Sequence, residues 1–272
     1  MSTNYTYKLG LLGAGAMGSA LLRGNLRQGT LAAEQVVIYE PDEKRREAAC
    51  RELGVAAAGS ERELVAQAET VLLAIKPQVA PAVLGALAGA WSADQLVVSI
   101  MAGVPLARLR EWVGEGPGLV RVMPNVLATV GEAAAGYAAG AEVSPAQVAF
   151  VDALLGSVGL ARRVEEKLLD AVTGLSGSGP AFAAVFCEAL ADGGVAAGLP
   201  RALAQELAAQ VLVGVGRWVL ENGSPAALKD LVTSPAGTTI AGLQALEAGG
   251  LRAAAAAAVC TAAERSAELG KK

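Results

Sequence analysis

Residues 9–18 read LGLLGAGAMG and enclose a G-x-G-x-x-G: Gly13, Gly15 and Gly18. Three glycines at this spacing are common, so the flanks decide what they mean. Before them lies a short apolar run of strand character, Lys8 to Leu12. After them, Met17 to Leu26 carries Leu21, Leu22 and Leu26 at helical spacing. Strand, tight turn and helix in that order open a βαβ unit that holds a dinucleotide. Gly13 permits the turn, Gly15 lets the backbone approach a pyrophosphate, and Gly18 lets helix and strand pack closely. The helix start then offers free N–H groups and a favourable dipole to the diphosphate. On this reading the backbone of Gly13, Ala14, Gly15, Ala16, Met17 and Gly18 holds the cofactor.

The pattern continues downstream. Val36 to Tyr39, Val71 to Ile75 and Leu96 to Ile100 are short apolar runs suited to strands buried on both faces of a parallel sheet. Asp42 to Leu53, Glu61 to Ala68 and Val79 to Leu87 are helical candidates between them. Leu119 to Met123 and Ala133 to Ala138 read as further strands, and Ser144-Pro145 starts another helix. The alternation predicts an α/β domain over residues 1–163, a Rossmann-type doubly wound sheet. From 164 to 272 the patterns are helical: Glu165 to Leu175, Pro180 to Ala197, Pro200 to Glu221, Ala226 to Val232, Thr238 to Glu247 and Leu251 to Leu269. Breaks such as Gly-Leu-Pro and Asn-Gly-Ser-Pro separate them. The alanine run 253–258 predicts close helix packing. An all-helical second domain must then supply the substrate contacts.

Composition narrows the chemistry. The 272 residues are 53% hydrophobic, yet no uncharged run reaches a membrane span. Apolar surplus of this kind predicts burial between subunits. The first residues lack the features of a signal peptide, and three widely spaced cysteines read as reduced thiols, so the expectation is a cytoplasmic protein. A net charge of −4 without a long basic run argues against nucleic acid. There is no histidine. That excludes a Ser-His-Asp triad, a His-centred proton relay and any His-ligated metal, and no metal site is expected.

Ligands of doubly wound sheets bind at the carboxyl ends of the strands. Glu40 stands at such an end, 22 residues after Gly18. An acidic side chain there accepts from the ribose hydroxyls of NAD and repels a 2′-phosphate, although Lys44, Arg45 and Arg46 follow and keep NADP open. Ala74, Ile75, Lys76 and Pro77 close the run from Val71, with Lys76 placed to stand over the cofactor. Ile100, Met101 and Ala102 let a nicotinamide ring lie near the backbone. Asn125 offers a donor and an acceptor for a carboxamide or for backbone. In the helical half, Ser176-Gly177-Ser178-Gly179-Pro180 and Ser234-Pro235-Ala236-Gly237-Thr238-Thr239 are hydroxyl-rich helix starts. Each is either an ordinary cap or an anion cradle, and the pair suits a small carboxylate.

Enzyme classes separate on what is missing. No tyrosine is followed four residues later by lysine, which excludes the short-chain dehydrogenase pair. No lysine lies between Lys167 and Lys229, which counts against a β-hydroxyacid-type dehydrogenase. Reduction of an imine remains, because an iminium is already protonated and electrophilic and needs chiefly orientation. A hydroxyl such as that of Thr239 suffices to hold the ring nitrogen. The hydroxyacid dehydrogenase and a non-catalytic NAD-binding sensor or scaffold stay as alternatives.

Several stretches together resemble pyrroline-5-carboxylate reductase: residues 13–18, Lys76-Pro77-Gln78, Val97-Val98-Ser99 with Ala102-Gly103-Val104, Met123-Pro124-Asn125, Asp170 through Ala181, Ala191 through Val195 with Gly198 through Arg201, and Leu228 through Ile240. The resemblance implies NAD(P)H-dependent reduction of Δ1-pyrroline-5-carboxylate to L-proline. It implies that Glu40 and Ser60 are adenosine-side residues and that Ala74 to Pro77 and Ile100 to Ala102 line the cofactor cleft. Glu166, Ser178, Gly237, Thr238 and Thr239 then fall at the substrate pocket, with Thr239 on the ring nitrogen and Ser178 beside it. A homodimer through the helical domains, assembled into larger rings, is the implied state. The sequence departs from the family pattern in three places. Val126-Leu127 replace Thr-Pro, Ala236 replaces a glycine, and Glu40 stands where many members carry a hydroxyl or basic residue, which leans the expectation to NADH.

Overall fold

The computed structural model describes residues 5–270. They form β1 (Tyr7–Leu12), α1 (Ala16–Gln28), β2 (Val36–Tyr39), α2 (Glu43–Leu53), β3 (Ala56–Ala57), α3 (Glu61–Gln67), β4 (Ala68–Leu73), α4 (Ala80–Ala86), β5 (Leu96–Ser99) and α5 (Leu106–Val113). Then follow β6 (Gly118–Met123), β7 (Ala133–Ala139), α6 (Pro145–Gly156) and β8 (Gly159–Arg163). The helices after them are α7 (Leu169–Val172), α8 (Gly179–Ala196), α9 (Arg201–Asn222), α10 (Pro225–Leu231), α11 (Thr238–Ala248) and α12 (Leu251–Gly270).

The eight strands make one sheet in the order β3-β2-β1-β4-β5-β6-β7-β8. Neighbours pair in parallel except β6 and β7, which run antiparallel. The order reverses between β1 and β4, and that switch point opens a crevice at the carboxyl ends of the strands. The strands read as near-continuous apolar runs because both faces are covered. Leu9, Leu11, Ile38, Leu72, Val98 and Val122 pack beneath α1 and α6 on one face. Val37, Val71, Leu73, Val97 and Leu119 pack against Leu64, Leu84 and Leu109 of α3, α4 and α5 on the other. Each fully buried leucine contributes about 2 kcal/mol of transfer free energy, before the chain entropy it opposes.

The chain divides into two compact units. One runs to Gly177 and takes in the chain again from Ala262, and the other is Ser178–Thr261. The expected division after residue 163 thus differs from the compact units. Leu169 is fully buried, and a Cβ on Gly136 of β7 would lie 2.9 Å from Val172, so α7 packs directly on the sheet. The expected single helix from Glu165 to Leu175 is instead a 3₁₀ turn at Glu166–Leu168, α7, and a π-helical turn at Thr173–Gly177. β3, α5 and β8 were not foreseen in the sequence.

The second unit is built on α8 against α9. Its buried apolar residues are Ala191, Ala204 and Ala208, all small. Gly194 lets the two helices close up, since a Cβ there would lie 3.2 Å from that of Ala204. Larger apolar side chains of α9 stand exposed on the single chain, among them Leu207, Val211 and Leu220. The alanine run 253–258 does not bury itself as expected. Ala254, Ala255 and Ala258 line an apolar groove of about 630 Å³ facing Phe182 and Phe186 of α8.

Candidate active site

Register builds the site. Tyr39, Leu12, Leu73 and Ser99 are the last paired residues of β2, β1, β4 and β5 and lie side by side. The next residue of each strand continues the ladder. Gly13 N–H donates to Tyr39 O at 2.8 Å, Ala74 N–H to Leu12 O at 2.9 Å, and Ile100 N–H to Leu73 O at 3.1 Å. Glu40, Gly13, Ala74 and Ile100, four residues named from separate motifs, therefore stand in one row along the carboxyl edge.

The three glycines each do a different job. Gly13 sits at φ +96°, and a Cβ there would meet Ala74 O at 2.8 Å. Gly18 is walled in: a Cβ would lie 2.7 Å from Gly13 O and 2.8 Å from the Ala74 Cβ. Gly15 faces open space, with nothing within 4 Å of a built Cβ. It is the N-cap of α1, where no side chain caps the helix and no acidic residue occupies the first turn. Unclaimed N–H groups above an open cradle fit a pyrophosphate. The residues present therefore fit a dinucleotide.

Glu40 is 6% exposed and bonded into this loop. Its Oε2 accepts from Ala14 N–H at 3.1 Å, and its Oε1 accepts from Asp42 N–H at 3.4 Å. Arg45 Nε stands 3.8 Å from the carboxylate, and Arg46 donates to the Glu40 carbonyl at 2.8 Å. Each carboxylate oxygen keeps a lone pair for a ribose hydroxyl. Ser60 accepts from Glu63 N–H and caps α3, which leaves its O–H to donate. Next to it, Tyr39 is held above the usual phenol range by burial and then by the Glu61 carboxylate.

Lys76 is exposed after β4, and Pro77 starts the turn into α4. The Met101 side chain is buried in the apolar face with Leu109 and Val104, so only its backbone can face a cofactor. Ala102 is exposed. Asn125 spends its amide on backbone, the second of the two uses its chemistry allowed. Nδ2 donates to Ser176 O at 3.0 Å and Oδ1 accepts from Ala134 N–H at 3.4 Å. Val126 and Leu127 follow it exposed, in a 3₁₀ turn.

Glu166 Oε1 accepts from Leu106 N–H at 2.7 Å and pairs with Arg121 Nη1 at 3.3 Å. It thus fixes the start of α5, directly after the Ile100–Ala102 loop. Arg121, 8% exposed on β6, was not assigned a role from sequence. Its place opposite Ser99, the residue that ends β5, was the available signal.

The second unit carries the hydroxyls. Ser178 is the N-cap of α8 and makes no side-chain capping bond. α11 starts at Thr238 behind Gly237, again without a side-chain cap, and Thr239 is half-buried. Neither start has its first-turn N–H groups claimed by a capping side chain. Ahead of α11, Gly237 N–H donates to Ser234 O at 3.1 Å, closing a turn over Pro235 and Ala236. Ala236 takes φ +54°, in the left-handed region that turns usually give to glycine.

Family models match two stretches: pyrroline-5-carboxylate reductase dimerisation over residues 166–269, and NADP oxidoreductase, coenzyme F420-dependent, over 8–103. The chain is 46% identical to the pyrroline-5-carboxylate reductase of Methanosarcina acetivorans across 97% of its own length and 98% of that protein's. The chain belongs to the pyrroline-5-carboxylate reductase family. The family member of Escherichia coli K12 is 38% identical across 97% of this chain and 98% of its own. Among solved members, the Plasmodium falciparum reductase with NADP bound superposes with a TM-score of 0.86 at 32% identity, covering 98% of this chain and all of that one. The Coxiella burnetii reductase gives 0.89 at 29% identity, covering 97% and 98%.

Proposed function

We propose that this chain reduces Δ1-pyrroline-5-carboxylate to L-proline with NAD(P)H. Membership of the reductase family supports the reaction, and the uncapped, hydroxyl-bearing starts of α8 and α11 carry the assignment of residues. A bound nicotinamide supplies a hydride to the imine carbon, and the C=N π pair passes to the protonated ring nitrogen, which becomes the amine. The chain's own task is orientation. The family resemblance assigns Thr239 Oγ1 to the ring nitrogen and Ser178, Gly237 and Thr238, with Glu166, to the substrate. The free first-turn N–H groups suit the carboxylate. No strong acid is asked of the protein, in keeping with the absence of histidine.

Gly13 to Gly18 hold the pyrophosphate, Glu40 and Ser60 meet the adenosine side, and Ala74 to Pro77 with Ile100 to Ala102 line the nicotinamide side. Glu40 makes NADH the preferred donor: a buried carboxylate at the ribose repels a 2′-phosphate, with Arg45 offsetting part of its charge. The stretch 164–272 serves as substrate-binding and dimerisation domain, and the exposed apolar face of α9 with the groove beside α8 is covered by a second copy. Larger rings of dimers follow from the same resemblance. Among the described residues no helix is long and apolar enough to cross a membrane. The three unpaired thiols suit the cytoplasm.

Purified protein mixed with pyrroline-5-carboxylate should consume NADH, read as falling nicotinamide absorbance, and should form proline. Absence of turnover with both NADH and NADPH would end the proposal. Thr239→Ala should lower kcat/KM for the imine by about tenfold, the scale of one orienting hydrogen bond.

A further inference from the structure

The tie between Asn125 and Ser176 has a partner in the covalent chain. In a helical turn the Ser176 carbonyl would accept from the N–H four residues on, but position 180 is proline and has none. The next donor along, Ala181 N–H, goes to Ser178 O at 3.0 Å. Asn125 Nδ2 donates to Ser176 O instead, across 51 residues of sequence and from a side chain that is 4% exposed. The turn it meets, Thr173–Gly177, is π-helical, a geometry concentrated at functional sites. Further contacts pin the same segment. Ser176 Oγ donates to Val172 O, Ser266 Oγ donates to Asp170 Oδ1 at 2.7 Å, and a Cβ on Gly177 would strike the Met123 methyl at 2.6 Å.

We infer that Asn125 is a positioning residue for the substrate: it replaces the hydrogen bond that Pro180 removes and thereby fixes the chain into Ser178. The cofactor is not its ligand. Pro180 sets the φ of the first turn of α8 and deletes a donor, and Asn125 supplies one from the end of β6. The two residues form a matched pair. This inference rests on Ser178 belonging to the substrate pocket.

Steady-state kinetics with both substrates varied test it, with thermal melting beside them. Asn125→Ala should raise KM for the imine by about tenfold, the size of one buried hydrogen bond, and leave KM for the dinucleotide within about twofold. Adding Pro180→Ala to that variant restores a backbone N–H at position 180. The double variant should recover most of the imine KM and of the lost Tm, although Pro180→Ala alone gains nothing. Should the alanine variant not fold, Asn125→Asp keeps the acceptor for Ala134 and turns the donor towards Ser176 O into a repelling acceptor, and it carries the same measurement. A rise in dinucleotide KM with imine KM unchanged overturns the inference, as does a double variant no better than Asn125→Ala. Ser178→Ala separates the two readings. If it leaves imine KM unchanged, the pocket assignment is wrong; if it raises imine KM and Asn125→Ala does not, the positioning role is wrong.

Discussion

Glu40 Oε2 lies 3.1 Å from the Ala14 nitrogen, so the carboxylate that ends β2 is hydrogen-bonded into the glycine loop that follows β1. One side chain thereby holds the glycine loop after β1, and under the proposed function the same carboxylate sets the charge beside the ribose. The proposed cofactor preference would then be coupled to the order of the loop.

Glu40→Ser should therefore do two things at once. The ratio of kcat/KM for NADPH over NADH should rise by about tenfold or more as the repulsion is lifted. Tm should fall modestly, because Ala14 N–H loses its acceptor. An unchanged cofactor ratio would remove Glu40 from the selection.

Gly15 and Gly18 predict opposite outcomes for the same substitution. Gly15→Ala meets no protein atom within 4 Å, so the melting curve should hardly move while KM for the dinucleotide rises at least about tenfold. Gly18→Ala puts a Cβ 2.7 Å from a backbone carbonyl, so it should lose Tm even without cofactor. Equal melting behaviour of the two variants would contradict the separate roles.

Ala236 stores strain at the turn before Thr238. A left-handed residue with a Cβ costs about 1–2 kcal/mol, and glycine recovers that less its own chain entropy. Ala236→Gly should raise stability by about 1 kcal/mol, visible as a higher midpoint in urea. A lower midpoint would show that φ +54° is no strain in this turn.

Tyr137 predicts an alkaline limit. It is 1% exposed and donates to Asp152 Oδ1 at 2.6 Å; burial, and then the Asp152 carboxylate, push its pKa up to about 12 from 10. Its folded pKa is raised, so its contribution is complete below pH 10 and is lost as pH climbs towards 12. The ceiling on that loss is about 3 kcal/mol for two units. Tyr137→Phe should flatten the fall in Tm between pH 10 and 12, and an equally steep fall would assign it elsewhere.

Much of this was legible, and the remainder was hidden for definable reasons. Strands such as Val36–Tyr39 and Leu96–Ser99 announce themselves because they are buried on both faces and branched. β8 was invisible because Gly159–Arg163 is an exposed edge carrying two arginines. β3 has only two residues. α5 carries a weak signal, Pro105 ahead of Leu106, Leu109 and Val113, in a helix of eight residues between two strongly apolar strands. At the site, the row Glu40, Gly13, Ala74 and Ile100 followed from motif positions at strand ends. Burial of Met101, and which of its two possible partners Asn125 takes, did not, since both depend on which direction a side chain takes from a loop. The bend of the Glu166–Gly177 segment left only Pro180 as its trace.

Leu207 on α9 tests the assembly. Leu207→Asp should convert dimers to monomers or aggregates in sedimentation velocity, because a carboxylate would have to be buried without a partner. An unchanged dimer mass would place the contact on another face.

The interior of the second unit, three alanines, has a kinetic consequence. Under the proposed dimerisation, so little buried apolar volume leaves the long helices dependent on the second copy for their stability. Maturation would then be second order: fresh polypeptide at low abundance would wait on encounter, and dilution would reverse it. Where two versions of the chain are made together they would co-assemble, so a defective version would draw intact ones into mixed particles, and the damage would exceed its share of the synthesis.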